Sequence, residues 1–227
     1  MACFRAPVQQ SCLDLSALER IQAYVRRYAA ERREVRRLGP FLATFGRHSN
    51  GPYLNYAVPD DGSAPTSAEI ASLVEVYEGR HLRPRVEVMP LLAPEATGAL
   101  AEAGFRSEGT FSLMACWRDS LLGVVPPVGT EIVIARDEEQ CRALLEVRND
   151  AFGEPGPVTA ADVQRALSSV AGGGIAAVIV DVETGRTLGS GACLVPYDGV
   201  TELTSIGVRR ASRRRGIGAA LTAALAG

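Results

Sequence analysis

Near the end of the chain, Ile206-Gly207-Val208 runs into Arg209-Arg210-Ala211-Ser212-Arg213-Arg214-Arg215, and Gly216-Ile217-Gly218-Ala219-Ala220-Leu221 then opens an alanine-rich run. Read locally, this is the end of an apolar strand, a cationic connector, two glycines one residue apart and the start of a helix. Such a junction suits an anion. Glycine lets the backbone approach a ligand closely, and the first turn of a helix offers unpaired N–H groups and a partial positive charge, so a phosphate is bonded there without any special side chain. The arginines add charge. No other stretch offers comparable chemistry. Gly172-Gly173-Gly174 precedes a strand rather than a helix, which makes it a flexible turn. The five cysteines, Cys3, Cys12, Cys116, Cys141 and Cys193, show no Cys-x-x-Cys pairing, and only His48 and His81 could help them hold a metal. Neither a disulfide framework nor a zinc site is indicated. Cys141 sits at core spacing with no base in view, and His48 reads as a turn histidine. A Ser/His/Asp or Cys/His constellation is also lacking.

The net charge of −2 argues against phosphate-backbone binding, which usually needs domain-wide basicity. A nucleic-acid role for Arg209 to Arg215 would predict a steep salt dependence. All 24 basic residues are arginine, a skew that reads as coding bias rather than function. The first residues lack the apolar core of a signal peptide, and no run approaches the roughly 18 apolar residues of a membrane span, so the cytoplasm is the expected location.

The elements that must position the glycine junction follow from period and punctuation. In the first half, Ser16-Ala17-Leu18-Glu19 fits a capping box for an amphipathic helix that runs to about Arg37, where Gly39-Pro40 would stop it. Phe41 to Phe45 and Tyr53 to Val58 read as strands of a hairpin, and Thr66-Ser67-Ala68-Glu69 caps a helix to about Gly79. Pro84 to Met89 is a strand, Pro94 to Ala103 a helix, and Phe105 to Trp117 a strand or hairpin turning at Ser107-Glu108-Gly109. Gly123, Pro126, Pro127 and Gly129 mark a linker. In the second half, Glu131 to Ala135 is a strand, Asp137 and Thr159 cap two helices, and strands at 175–180, 187–195 and 201–208 lead into the junction.

Arg213-x-x-Gly216-x-Gly218, between a strand ending at Val208 and a helix opening at Ile217, resembles the acyl-CoA pyrophosphate loop of the GNAT (GCN5-related N-acetyltransferase) superfamily, whose signature is Arg/Gln-x-x-Gly-x-Gly/Ala. The element order from Glu131 to Gly227 is similar to that of the family, which continues with a strand, a helix and a final strand pair. The first half also resembles the C-terminal two-thirds of a GNAT domain, through Leu100-x-x-x-Gly104-Phe105 running into Phe111-Ser112-Leu113-Met114. Where its loop should stand, it has Pro59-Asp60-Asp61-Gly62-Ser63-Ala64-Pro65. Two carboxylates there would repel a diphosphate, and the prolines remove N–H donors. The expected organisation is a degenerate GNAT-like domain over 1–118, a linker over 119–129, and a GNAT domain over 130–227 that is incomplete after the helix following the loop. The expected fold is α/β (α+β), a mixed but mostly antiparallel sheet flanked by helices in each of two GNAT-like units.

This resemblance implies an N-acetyltransferase that moves an acetyl group from acetyl-CoA to the amine of a small molecule or peptide by direct attack, with no metal. Ile206, Gly207 and Val208 would line the pantetheine arm, while Arg213, Arg214, Arg215, Gly216, Ile217, Gly218 and Ala219 would cradle the diphosphate. Glu202 is the candidate proton acceptor, because strand carboxylates near this site act as bases in some relatives; Glu154 is a second candidate. The general acid of many relatives has no counterpart. Acetyl-CoA and an amine are the implied partners, with no nucleic acid and no membrane, and a homodimer stays open. The alternative is a non-catalytic acyl-CoA-binding module or an inactive fragment of a tandem protein.

Overall fold

Gly39 and Pro40 do not stop a long helix but turn a hairpin. Helix α1 (Leu15–Arg32) ends five residues earlier than its arginine periodicity predicts, and strand β2 (Glu34–Leu38) pairs antiparallel with β3 (Phe41–Phe45), Leu38 facing Phe41. Gly39 has φ +54°, the left-handed conformation that a two-residue hairpin turn requires of its first residue. Sheet pairing here overrides a helical pattern that Val35 continues only by coincidence. The helix cap also differs: Asp14, not Ser16, accepts the Ala17 N–H at 2.7 Å.

The computed structural model describes residues 3–8 (backbone only), 13–47, 50–154 and 156–227. The expectations for the first two residues, Cys12 and His48, and for the side chain of Cys3, lie outside the described residues. The chain divides into two compact units, residues 1–115 and 116–227.

In unit 1, β1 (Cys3–Val8), β4 (Ala57–Pro59), β5 (Arg85–Glu87) and β6 (Arg106–Ser112) join the hairpin in one sheet of order β2-β3-β4-β5-β1-β6. The strand expected from Tyr53 begins only at Ala57. Asn55, buried before it, donates from its amide to the Gly51 carbonyl at 2.8 Å and accepts the Gly46 N–H at 2.9 Å, which holds the chain in a loop. Of the strand or hairpin expected from Phe105, a single strand forms, and Ser107-Glu108-Gly109 makes a bulge in it rather than a turn. Phe4 faces Ser107 and Arg5 faces Gly109, so Glu108 is the extra residue, and Arg83 and Arg85 hold its carboxylate at 3.1 Å each. Helix α2 (Ser67–Glu78) begins with the expected Thr66/Glu69 capping box, and α3 (Pro94–Glu102) follows β5. Phe41, Phe45, Ile70, Leu73, Tyr77, Val86 and Leu100 form the core of this unit. The Tyr77 hydroxyl donates to the Thr44 carbonyl at 3.2 Å, and burial pushes its pKa well above the ordinary phenol range.

Unit 2 follows its predicted order closely. Strands β7 (Thr130–Ile134), β8 (Ile175–Asp181), β9 (Thr187–Cys193) and β10 (Leu203–Val208) make an antiparallel sheet of order β10-β9-β8-β7. Asp137 caps α4 (Glu138–Phe152), and Thr159 caps α5 (Ala160–Ala171) with Asp162 completing the box. Strand alternation sorts the core by face. Ala177 and Ile179 meet Ile217, Ala220, Leu221 and Leu225 of α6 (Ile217–Ala226), whereas Ala176 and Val178 meet Cys141, Leu144, Leu145 and Val163 of α4 and α5. Cys141 is therefore a core residue, and burial raises its thiol pKa. Ser190 is fully buried, and its hydroxyl has no partner among the described residues. Because an unsatisfied buried hydroxyl costs stability, Ser190→Ala is expected to raise the unfolding free energy by about 1 kcal/mol. A urea denaturation midpoint that falls instead would show that the hydroxyl is satisfied.

Candidate functional site

The junction forms as strand, short turn and helix. After β10, residues Arg210–Ser212 make one 3₁₀ turn, Arg214 takes φ +65°, and Gly216 caps α6 at φ +82° without any side-chain hydrogen bond. Left-handed residues alternating with ordinary ones turn successive N–H groups toward one side. The Ser212 N–H is used within the turn, donating to the Arg209 carbonyl at 2.8 Å. The backbone N–H groups of residues 214–219 have no acceptor among the described residues. They border a cavity of about 340 Å³ lined by Val208, Ser212, Arg213, Arg214, Gly216, Ile217 and Gly218.

The arginine side chains are less involved than their number suggests. Arg213 donates from Nε to the Val208 carbonyl at 3.0 Å and from Nη2 to the Ala151 carbonyl at 3.2 Å. Arg209 donates to the Thr187 carbonyl at 2.9 Å and pairs with Asp150 at 2.8 Å. The Asp181 carboxyl lies below its usual pKa range, mainly through the Thr184 N–H and hydroxyl, and the charge of Arg215 adds to the effect. Arg210 and Arg214 have no partner among the described residues.

Two features of β10 escape a sequence reading. Thr204 faces Ala192 and Gly207 faces Ser190, so Ser205 and Ile206 oppose Gly191 alone, and Ser205 takes φ +58°. This bulge frees backbone groups in the middle of the strand, and nothing in Thr204-Ser205-Ile206 announces it. Gly207 marks a close approach: a Cβ there would lie 2.9 Å from the Ala151 Cβ, so the last turn of α4 rests directly on β10.

A second cavity, of about 550 Å³, lies along the end of α4 and the loop after it, lined by Glu146, Asn149, Asp150, Gly153, Glu154 and Val158 among others. Glu154 is thus on a cavity wall, 3.3 Å from Arg148. Glu202 lies apart. It is exposed just before β10, its carbonyl accepts the Leu194 N–H at 2.9 Å, and it lines neither cavity. Ile206 and Gly207 precede the loop on the strand, and Arg215 and Ala219 flank the lining residues. Among the described residues no group of three His, Cys, Asp or Glu side chains could hold a metal, and no helix is long and apolar enough to cross a membrane.

In unit 1, the connection between β4 and α2 carries ion pairs and a capped helix start. Arg26 clasps Asp61 at 2.6 and 3.0 Å, Arg37 pairs with Asp60, and the Glu69 carboxylate takes the Thr66 N–H at the start of α2.

The stretch 141–226 matches the sequence model of the Acetyltransferase (GNAT) family. Among solved structures, a GCN5-related N-acetyltransferase from Kribbella flavida is similar over 91% of this chain and 78% of its own, at 20% identity and a TM-score of 0.70. A GCN5-related N-acetyltransferase from Sphaerobacter thermophilus matches 46% of this chain and 33% of its own, at 26% identity and a TM-score of 0.37. An acetyltransferase from Trypanosoma brucei matches 42% of this chain and 71% of its own, at 22% identity and a TM-score of 0.37. No curated protein matches the sequence. Residues 141–226 therefore carry the sequence pattern of the GNAT acetyltransferases, on a fold that the chain shares over most of its length with a GCN5-related N-acetyltransferase.

Proposed function

We propose that unit 2 binds acetyl-CoA at the glycine junction and transfers its acetyl group to an amine by direct attack. The observation that carries this is the run of N–H groups over residues 214–219, without acceptors and bordering a cavity, inside the stretch that matches the family model. A diphosphate would take its hydrogen bonds mainly from the backbones of Arg214, Arg215, Gly216, Ile217, Gly218 and Ala219, beside Arg213, whose own N–H donates to the Arg210 carbonyl at 3.4 Å. The pantetheine arm would follow Ile206, Gly207 and Val208 past the bulge at Ser205. There the neutral amine attacks the thioester carbonyl carbon, the C–S bond breaks, the amine loses a proton and the CoA thiolate gains one. Glu202 accepts the amine proton in this reading. It must reach the acceptor from the start of β10, directly or through water. Unit 1, with its junction filled by Asp60, Asp61 and Glu69, is a degenerate GNAT-like domain over 1–118, joined through 119–129 to the acetyltransferase domain over 130–227. The reaction needs neither metal nor nucleic acid and is assigned to the cytoplasm.

Calorimetry with CoA and acetyl-CoA, followed by thiol release with a panel of primary amines, tests the proposal. Binding with amine-dependent thiol release supports it, and Glu202→Gln should then slow turnover about 10²-fold and remove the acidic limb of the pH profile. Binding without release would leave a non-catalytic acyl-CoA module. Absence of binding would refute the site.

A further inference from the structure

Arg213 links the loop cavity to α4, whose end lines the second cavity. It lines the loop cavity, and its guanidinium reaches the Ala151 carbonyl in the last turn of α4, 3.2 Å from Nη2. A cation is favoured there, because the last carbonyls of a helix lack intrahelical partners and carry partial negative charge. The same turn is held twice more, by Arg209 on Asp150 at 2.8 Å and by direct contact with Gly207, where no side chain would fit. Beyond it the chain passes through left-handed Gly153. The N–H groups of Gly153 and Glu154 both donate to the Asn149 carbonyl, and the loop that follows forms the wall of the second cavity. A displacement of the loop backbone at Arg213 therefore pulls on the last turn of α4 at Ala151, two residues past the Asn149 carbonyl from which that wall hangs.

We propose that Arg213 is a positioning residue that couples occupation of the glycine junction to the shape of the second cavity. This rests on the reading that the junction takes CoA. The loop N–H groups hold the ligand, and the Arg213 side chain passes its presence to residues 153, 154 and 156–158.

Hydrogen exchange on the full chain, with and without CoA, decides it for wild type, Arg213→Ala and Arg213→Lys. In wild type, CoA should slow exchange both at residues 214–219 and at 153–158. With CoA at saturation for each protein, the slowing at 214–219 should persist in Arg213→Ala, while the response at 153–158 disappears. Arg213→Lys, which can still donate to one carbonyl, should retain part of that response, and it decides the matter if the alanine variant does not fold. An equal response at 153–158 in all three proteins, or none in wild type despite CoA binding, overturns the coupling. Should wild type bind no CoA, the functional proposal fails, and the free proteins decide the coupling. Arg213→Ala should then exchange at least about tenfold faster at Gly153 and Glu154, with β8 unchanged, as expected when a local opening is eased. Unchanged rates, or uniform acceleration throughout unit 2 with a lowered melting temperature, would mean a merely structural arginine.

Discussion

Gly216→Val is expected to lower the affinity for CoA by more than about 30-fold, roughly 2 kcal/mol, while Arg214→Ala changes it by less than about threefold. The contrast follows from where the donors lie. Gly216 holds φ +82° at the cap of α6, a conformation in which a β-branched residue is a steric outlier. Valine can be accommodated only by rotating the backbone that aims the N–H groups on either side of it, and each charge-assisted bond to a diphosphate contributes about 1.5–3 kcal/mol. Arg214, by contrast, supplies its N–H whatever its side chain. It already sits at φ +65°, so Arg214→Gly should keep the shape of the turn. Gly218 is not strained: its Cβ would stand 3.8 Å from the Val208 Cγ2, so alanine fits and only a bulky residue intrudes on the cavity. Isothermal titration of the variants checks all of this. Equal losses for Gly216→Val and Arg214→Ala would mean that side-chain charge, not backbone approach, holds the ligand.

Leu221→Ala should destabilise unit 2 by about 2–5 kcal/mol, the range for a fully buried leucine that leaves a cavity. Half of helix α6 is alanine, and Ile217, Leu221 and Leu225 are its large apolar contacts with Ile179, Leu188 and their neighbours on the sheet. Leu221 has no exposure, and Gly189 makes room for it, since a Cβ there would stand 3.0 Å from the leucine Cδ1. Loss of this anchor loosens the helix whose first turn carries the loop donors, so CoA affinity should fall with stability. Urea denaturation followed by circular dichroism measures the first effect. A change below about 1 kcal/mol would show that α6 is not held against the sheet by this side chain.

Unit 2 was readable because its local signals agree with its pairing. Asp137 and Thr159 cap the helices they were expected to cap, Gly172 ends α5, and the strands alternate between two covered faces. Unit 1 was readable only where the same agreement holds, as at Thr66 and Glu69. Glu34 to Leu38 looks helical because it continues the spacing of α1, yet its partner Phe41–Phe45 makes it a strand. Ser107-Glu108-Gly109 has the composition of a turn, but pairing with β1 converts it to a bulge. The candidate site was legible as a motif and not as a geometry. The glycines and arginines announce the junction, whereas the Arg213–Ala151 bond spans a separation of 62 residues and the bulge at Ser205 depends on register alone.

Unit 1 carries its own counter-ions: Asp60 and Asp61 neutralise Arg37 and Arg26, and Glu69 satisfies the start of α2. In the proposed reading, unit 2 takes one from its ligand. Dissolved anions therefore act on the two places by different routes. Ionic strength screens the half-exposed Asp60–Arg37 pair and gives nothing back, while sulfate or phosphate in a buffer competes with any diphosphate for the bare amides before α6.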